Sequence, residues 1–243
     1  MLELENNIIL DFFLGSATTA HAVMQLNSED NGNRKYIMVQ LPETTDEKSE
    51  AFKAGYKNIA EIGKERIRRA GEKIKQEIEE YNSNLKLGEE PKKVPDIGFK
   101  VFKVDDTNIK WYDLDNFNEE RQYSFDDPDS LDFVLGSNDI DIVYEIMLRQ
   151  NDIPLSESLE VLTDIGNRTY FYASTYLICL ETEITEEMVE KLASLDPLPI
   201  KFVFRDSAFK DNISLKDETF RKLRSLIERN SGESKVSYRV EFI

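Results

Sequence analysis

Asn7-Ile8-Ile9-Leu10-Asp11-Phe12-Phe13-Leu14-Gly15-Ser16-Ala17-Thr18-Thr19-Ala20-His21-Ala22-Val23 is the stretch on which the fold turns. Residues 7–13 (NIILDFF) are a short apolar run suited to a buried strand. They pass directly into a loop of small and hydroxylated residues, 14–19, and then into a helix-like stretch, 20–26. The polar residues 27–34 make a turn, and 36–41 (YIMVQL) are a second buried-type strand closed by Pro42. Strand, helix and strand in that order predict a βαβ unit and hence an α/β protein. A loop of this kind exposes backbone N–H groups where the helix dipole favours an anionic group. Gly15 supplies the tight turn, and Ser16, Thr18 and Thr19 add hydroxyls. Asp11 and Phe13 stand at the C-terminal end of the strand, where open α/β sheets take their ligands. By itself, a glycine at a strand–helix turn is more often structural than a ligand site.

Outward from this unit the pattern stays regular. Thr44 and Glu47 fit a capping box. Phe52, Tyr56, Ile59, Gly63, Ile67, Ala70, Ile74, Ile78 and Tyr81 follow at spacings of three and four, predicting one continuous amphipathic helix. Residues 82–96 hold Gly88, Pro91 and Pro95 and read as a loop, and 99–104 (FKVFKV) alternate as a third strand would. Residues 109–136 are acidic, dotted with aromatics and without clear period. Beyond them come a helix at 140–148, a hairpin signal at 164–168 between strands 159–163 and 169–173, and a strand at 175–180. Thr185 followed by Glu186 and Glu187 starts a helix that ends near Leu195. A strand at 200–204, a helix at 215–229 and a strand at 236–242 complete the chain.

Composition narrows the function classes. Of 243 residues, 40% are hydrophobic and 33% charged, enough apolar material for a core. No apolar run approaches the roughly 18 residues of a membrane span. The acidic, polar start lacks the basic region of a signal peptide, and the single Cys179 forms no internal disulfide, so a cytoplasmic protein is expected. The net charge of −17 is spread over the chain: residues 1–107 carry 16 basic and 20 acidic groups, 108–136 carry 2 and 8, and 137–243 carry 13 and 20. A DNA-binding face usually appears as a basic excess, because phosphate neutralisation drives affinity. No region has one, so any contacts with DNA phosphates are expected to come largely from elsewhere.

Residues 11–23 (DFFLGSATTAHAV) resemble the S-adenosylmethionine (SAM) motif of β-class amino methyltransferases, usually DxFxGSGTT. The stretches 33–43 (NRKYIMVQLPE), 54–70 (AGYKNIAEIGKERIRRA), 98–103 (GFKVFK) and 202–211 (FVFRDSAFKD) are similar, in order, to the modification subunits of type III restriction-modification systems. The resemblance implies a partial Rossmann-like SAM-dependent methyltransferase fold followed by a small α+β C-terminal domain. Its parts would be the SAM-binding region at 1–107, an acidic connector at 108–136 and an assembly domain at 137–243. It implies DNA adenine-N6 methylation, SAM as cofactor, and association with a second modification subunit and a restriction subunit. Carried over, Asp11, Phe13, Gly15, Ser16, Thr18 and Thr19 line the SAM pocket. Gln40 stands where related enzymes place an acid for the ribose hydroxyls, with Glu43 as a nearby substitute. Ala17 replaces the second glycine of the motif; if that position needs a positive φ, alanine strains the turn by roughly 1 kcal/mol.

The family's catalytic loop is Asp, Asn or Ser followed by two prolines and an aromatic residue, which grips a flipped base and its amino group. The prolines stand at 42, 91, 95, 128, 154, 197 and 199, no two adjacent, so that loop is absent. In the family it precedes the SAM motif together with the target recognition domain. The expectation is a chain without its N-terminal half, through which DNA would be bound, and inactive alone. Two other readings stay open: a non-catalytic assembly module derived from such an enzyme, and a loop that binds a nucleotide or another anion.

The remaining candidates read as structural. His21 and Cys179 offer no zinc-ligand spacing. His21 fits a partly buried helix position, and Cys179 a core strand. Lys64, Arg66, Arg68 and Arg69 fit a solvated face paired with Glu61, Glu65 and Glu72, with a DNA phosphate contact as the alternative. Arg205 and Asp206 suit an ion pair or turn ahead of a contact with a partner subunit, and Trp111 an ordinary packing role.

Overall fold

The two apolar runs around the first turn form a parallel pair. Strand β1 (Ile8–Asp11) lies beside β2 (Lys35–Met38), with Leu10 opposite Ile37 and Asp11 opposite Met38, and helix α1 (Thr18–Asp30) makes the crossover. The computed structural model describes residues 7–110, 128–210, 212–232 and 237–243. It divides into two compact units, Met1–Val101 and Phe102–Ile243. Helices and sheets mix in both, so the protein is α/β.

In the first unit the stripe of apolar residues is split. Helix α2 (Glu50–Lys53) is capped by Ser49, and α3 (Ile59–Ser83) by Asn58, whose side chain accepts from the Glu61 amide. Gly55, at φ +96°, separates them. Thr44 bridges Asn58 instead of capping a helix. The single helix expected from Thr44 onward therefore begins fifteen residues later at Ile59, because Asn58 caps more effectively and Gly55 breaks the period before it. Ile67, Ala70, Ile74 and Ile78 of α3 pack with Ala17, Ala20 and Met24 around α1, and Tyr36 and Met38 cover this core from the sheet. The alternating residues 99–104 form no strand. Phe99 lies under the Arg68 guanidinium, 5.6 Å from its centre, and Ile97 packs at Gly71, so the start of this segment lies against α3 and not beside another strand.

The second unit is a five-stranded sheet in the order β3 (Leu159–Val161), β4 (Thr169–Tyr172), β5 (Tyr176–Cys179), β6 (Lys201–Phe204) and β7 (Arg239–Phe242). The first three strands are antiparallel; β5, β6 and β7 are parallel, linked by α5 (Glu186–Leu192) and α6 (Ile213–Ser231). Alternation sorts the side chains. Leu177, Cys179, Phe202 and Phe204 enter a core with Met188, Val189 and Leu192 of α5 and Leu223 and Ile227 of α6. Tyr170, Tyr172, Tyr176, Ile178 and Val203 enter the other, with Ile142, Val143, Ile146 and Met147 of α4 (Asp139–Gln150). Burial on both faces is what parallel strands require, and every residue of β4, β5 and β6 is buried, Thr169 and Lys201 included. Cys179 is core, its thiol pushed up to about 11 by burial.

Ile109 and Phe133, near the two ends of the acidic stretch, bridge each other and are each 2% exposed in this core. Trp111 and most of that stretch lie outside the described residues. Arg205, which follows β6, is fully buried. Its guanidinium meets Asp129 at 2.5 Å and Asp132 at 2.7 Å, and lies over the Phe133 ring. Arg168 pairs with Asp129 at 2.8 Å and Asp139 at 2.6 Å. The ion-pair reading of Arg205 holds, although its partners are distant in sequence; Asp206 instead opens a short 3-10 turn and pairs with Lys216.

Candidate functional site

Five of the six α-helices among the described residues begin with a Ser, Thr or Asn whose side chain accepts an amide of the first turn; α1 does not. Its N-cap position is Ala17, at φ 61° and ψ 35°, with no side-chain hydrogen bond. A helix start has orphan N–H groups that seek an acceptor, and here the chain provides no capping side chain. The loop that puts Ala17 there is tightly wound. Gly15 also has positive φ, +51°, and the Ala17 amide donates to Leu14 O at 2.8 Å. Ala17 is fully buried. The position that carries glycine in the resembling motif thus does need a left-handed backbone, and alanine bears a strain of about 1 kcal/mol there.

Two side chains from the strand ends brace the turn. Asp11, at the end of β1, accepts from the Thr19 hydroxyl at 2.7 Å and the Phe13 amide at 3.0 Å. These bonds, Thr19 first, hold its carboxyl below the usual range. Gln40, just past β2, accepts the Gly15 amide at 2.8 Å through its carbonyl and donates to Leu41 O at 3.1 Å. The Gly15 amide, expected to face a ligand, is therefore bonded to the protein's own side chain. Ser16 and Thr18 are exposed, their hydroxyls 3.4 Å apart. Phe13 is 87% exposed. Glu43 is exposed, and its carbonyl accepts from Ile59 N at the start of α3.

Helix α3 closes on this loop at a glycine. A Cβ at Gly63 would stand 2.9 Å from Leu14 Cδ2 and 3.4 Å from Gly15 O. One turn further on, Arg66 donates to Ser16 Oγ at 3.0 Å. Arg66 also lines an open groove of about 440 Å³ with His21, Tyr56, Glu65, Arg69 and Lys73. The expected pairing of the basic cluster is found for Lys64 with Glu61 and for Arg68 and Arg69 with Glu65. Arg66 departs from it. Nothing local marks that difference, since Ser16 is fifty positions away. Among the described residues no group of His, Cys, Asp and Glu gathers as metal ligands, and no helix is long and apolar enough to cross a membrane.

No family model matches the chain. It is 36% identical over 132 residues to the Mod subunit of the type III restriction-modification enzyme StyLTI of Salmonella typhimurium, a match covering 54% of this chain and 16% of that protein. It is 50% identical over 66 residues to the Mod subunit of the type III enzyme EcoP15I of Escherichia coli, covering 27% of this chain and 10% of that one. It is 46% identical over 55 residues to the type II methyltransferase M.KpnI of Klebsiella pneumoniae, covering 23% and 13%. The matches span under a fifth of the length of each of these relatives.

Proposed function

We propose that this chain, Mod-like by its relatives at 36% to 50% identity, is the SAM-binding part of a DNA adenine-N6 methyltransferase of a type III restriction-modification system. The observation that carries the reading is the parallel β1–α1–β2 crossover whose loop leads into the one helix left without a side-chain cap among the described residues. A polar or anionic ligand end supplies the missing acceptor for such a helix. The residues fit SAM. Asp11 is held ionised and would face an ammonium group, Ser16 and Thr18 offer exposed hydroxyls, and Gln40 retains an amide N–H for a ribose oxygen. Gly15, Thr19 and Phe13 shape the turn. Bound SAM would supply the methyl group.

Methylation needs a base-gripping loop, and these 243 residues hold no adjacent prolines. In this reading the chain alone transfers no methyl group, and a polypeptide carrying the proline–proline–aromatic loop provides it together with DNA recognition. The first unit is then a partial Rossmann-like domain and the second an assembly domain for modification and restriction subunits, all in the cytoplasm. Calorimetric titration of the purified chain with SAM, S-adenosylhomocysteine, NAD and ATP tests it. Saturable binding of the first two is expected; binding of NAD or ATP alone overturns it.

A second reading, a non-catalytic assembly module of the same ancestry, is favoured by the Gln40–Gly15 bond and the strained Ala17. It predicts that none of the four compounds binds.

A further inference from the structure

We propose that Arg66 receives the carboxylate end of the ligand at the β1–α1 loop and so makes the site selective for compounds with an amino-acid tail. This rests on the SAM reading. Gly63 has no side chain, so α3 approaches Leu14 and the Gly15 carbonyl closely. Residues three apart on a helix share a face, and Arg66 accordingly projects at the same loop and reaches the Ser16 hydroxyl at 3.0 Å. Lys64, Arg68, Arg69 and Lys73 each pair with a glutamate of their own helix. Among the described residues Arg66 meets a neutral hydroxyl and no carboxylate.

A guanidinium of that kind, on a half-buried residue but with its bond to Ser16 exposed, keeps a charge and several N–H donors for an incoming anion, and its planar fork matches a carboxylate better than any other side chain. The positive end of uncapped α1 adds to the same potential. Arg66 also edges the groove beside His21 and Tyr56, which gives a tail somewhere to lie. Lys64 cannot substitute, since it is committed to Glu61 at 2.5 Å.

The test compares ligands with and without the tail. Calorimetry on the full chain would use S-adenosylhomocysteine and 5′-methylthioadenosine, which lacks the amino-acid end. Arg66→Ala is expected to weaken S-adenosylhomocysteine about tenfold to a hundredfold, the range for a hydrogen bond to a charged group. Methylthioadenosine should change less than about twofold, and Arg66→Lys should recover part of the loss. An equal loss for both compounds would show that Arg66 only shapes the loop, and an unchanged S-adenosylhomocysteine affinity would show that it does not touch the tail; either overturns the inference and leaves the SAM reading standing. A wild-type chain that binds neither compound overturns both.

Discussion

The two units solve the same problem to different degrees. In the second, parallel strands are covered on both faces, and Ile178, Leu177, Phe202 and Val203 are fully buried. In the first, one face of the β1–β2 pair meets α1 and α3, while the other shows Ile8 at 64%, Leu10 at 51%, Phe12 at 63%, Ile37 at 52%, Val39 at 44% and Leu41 at 69% exposure. Parallel sheets are ordinarily buried on both sides, and a contiguous apolar patch marks an interaction surface. The second unit therefore has its sheet covered on both faces, and the first has its strand pair covered on one. That difference also locates the polar chemistry: buried and mutually neutralised in the second unit, open around the loop in the first.

Among the polar groups, the largest effect expected from breaking this contrast is at Arg205. Arg205→Ala leaves Asp132, 11% exposed, and Asp129 facing a vacated cavity, and should destabilise the second unit by about 3–5 kcal/mol. Native-state hydrogen exchange in β5 and β6 would read it; protection kept within 1 kcal/mol of wild type, roughly, would mean the network is ornamental. The same network sets an acid limit. Burial acts to raise the Asp129 carboxyl, but hydrogen bonds from Arg168 and Arg205 outweigh it and leave it below its usual 3.8. A lowered folded value means the stabilisation is complete above the unfolded value and is lost as pH falls through the folded one. Circular dichroism should show a loss below about pH 4, and Asp129→Asn should flatten that part of the profile.

Gly63→Val comes next. Its side chain must displace Leu14 and crowd the Gly15 carbonyl, for about 1–3 kcal/mol in the first unit. Urea unfolding gives the magnitude, and ligand affinity should fall with it. Ala17→Gly should go the other way. It relieves roughly 1 kcal/mol of left-handed strain but gives up a buried methyl worth ~0.8 kcal/mol, so a net gain of a few tenths is expected; a loss above about 1 kcal/mol would refute the strain argument. Smallest of all should be Leu10→Lys, within about 0.5 kcal/mol of wild type because the side chain is already exposed. The equivalent change in the second unit, Ile178→Lys, should abolish folding of its sheet. Similar outcomes for the two lysines, read by size-exclusion chromatography and circular dichroism, would erase the distinction between a half-covered and a fully covered sheet.

Much of this was readable in one dimension. The crossover around Gly15, the strand–helix order of the second unit and the role of Thr185 as a cap all follow from short-range periodicity and turn chemistry, which depend on neighbours within about one helical turn. A positive φ at Ala17 is raised by the sequence only as a condition, from the glycine that stands there in the resembling motif, and the structure meets that condition. Where local signals competed, the reading failed: the period from Phe52 to Tyr81 ran over Gly55 and Asn58, and the alternation at residues 99–104 promised a strand with no neighbour to pair.

The partnerships that give the site its character were beyond any local pattern. Gln40 spans 25 positions to reach the Gly15 amide, Arg66 spans 50 to reach Ser16, and Arg205 spans more than 70 to reach Asp129 and Asp132. Each is fixed by how helices and strands stack, because a side chain's bonding partners are set by the packing of whole elements and leave no period behind in the order of residues. Residue order was enough to say that a loop of small and hydroxylated residues leads from the first of two parallel strands into a helix. Which amides of that loop stay open, and which cation guards it, follows from the way α3 lies down on Gly15 through the gap left at Gly63.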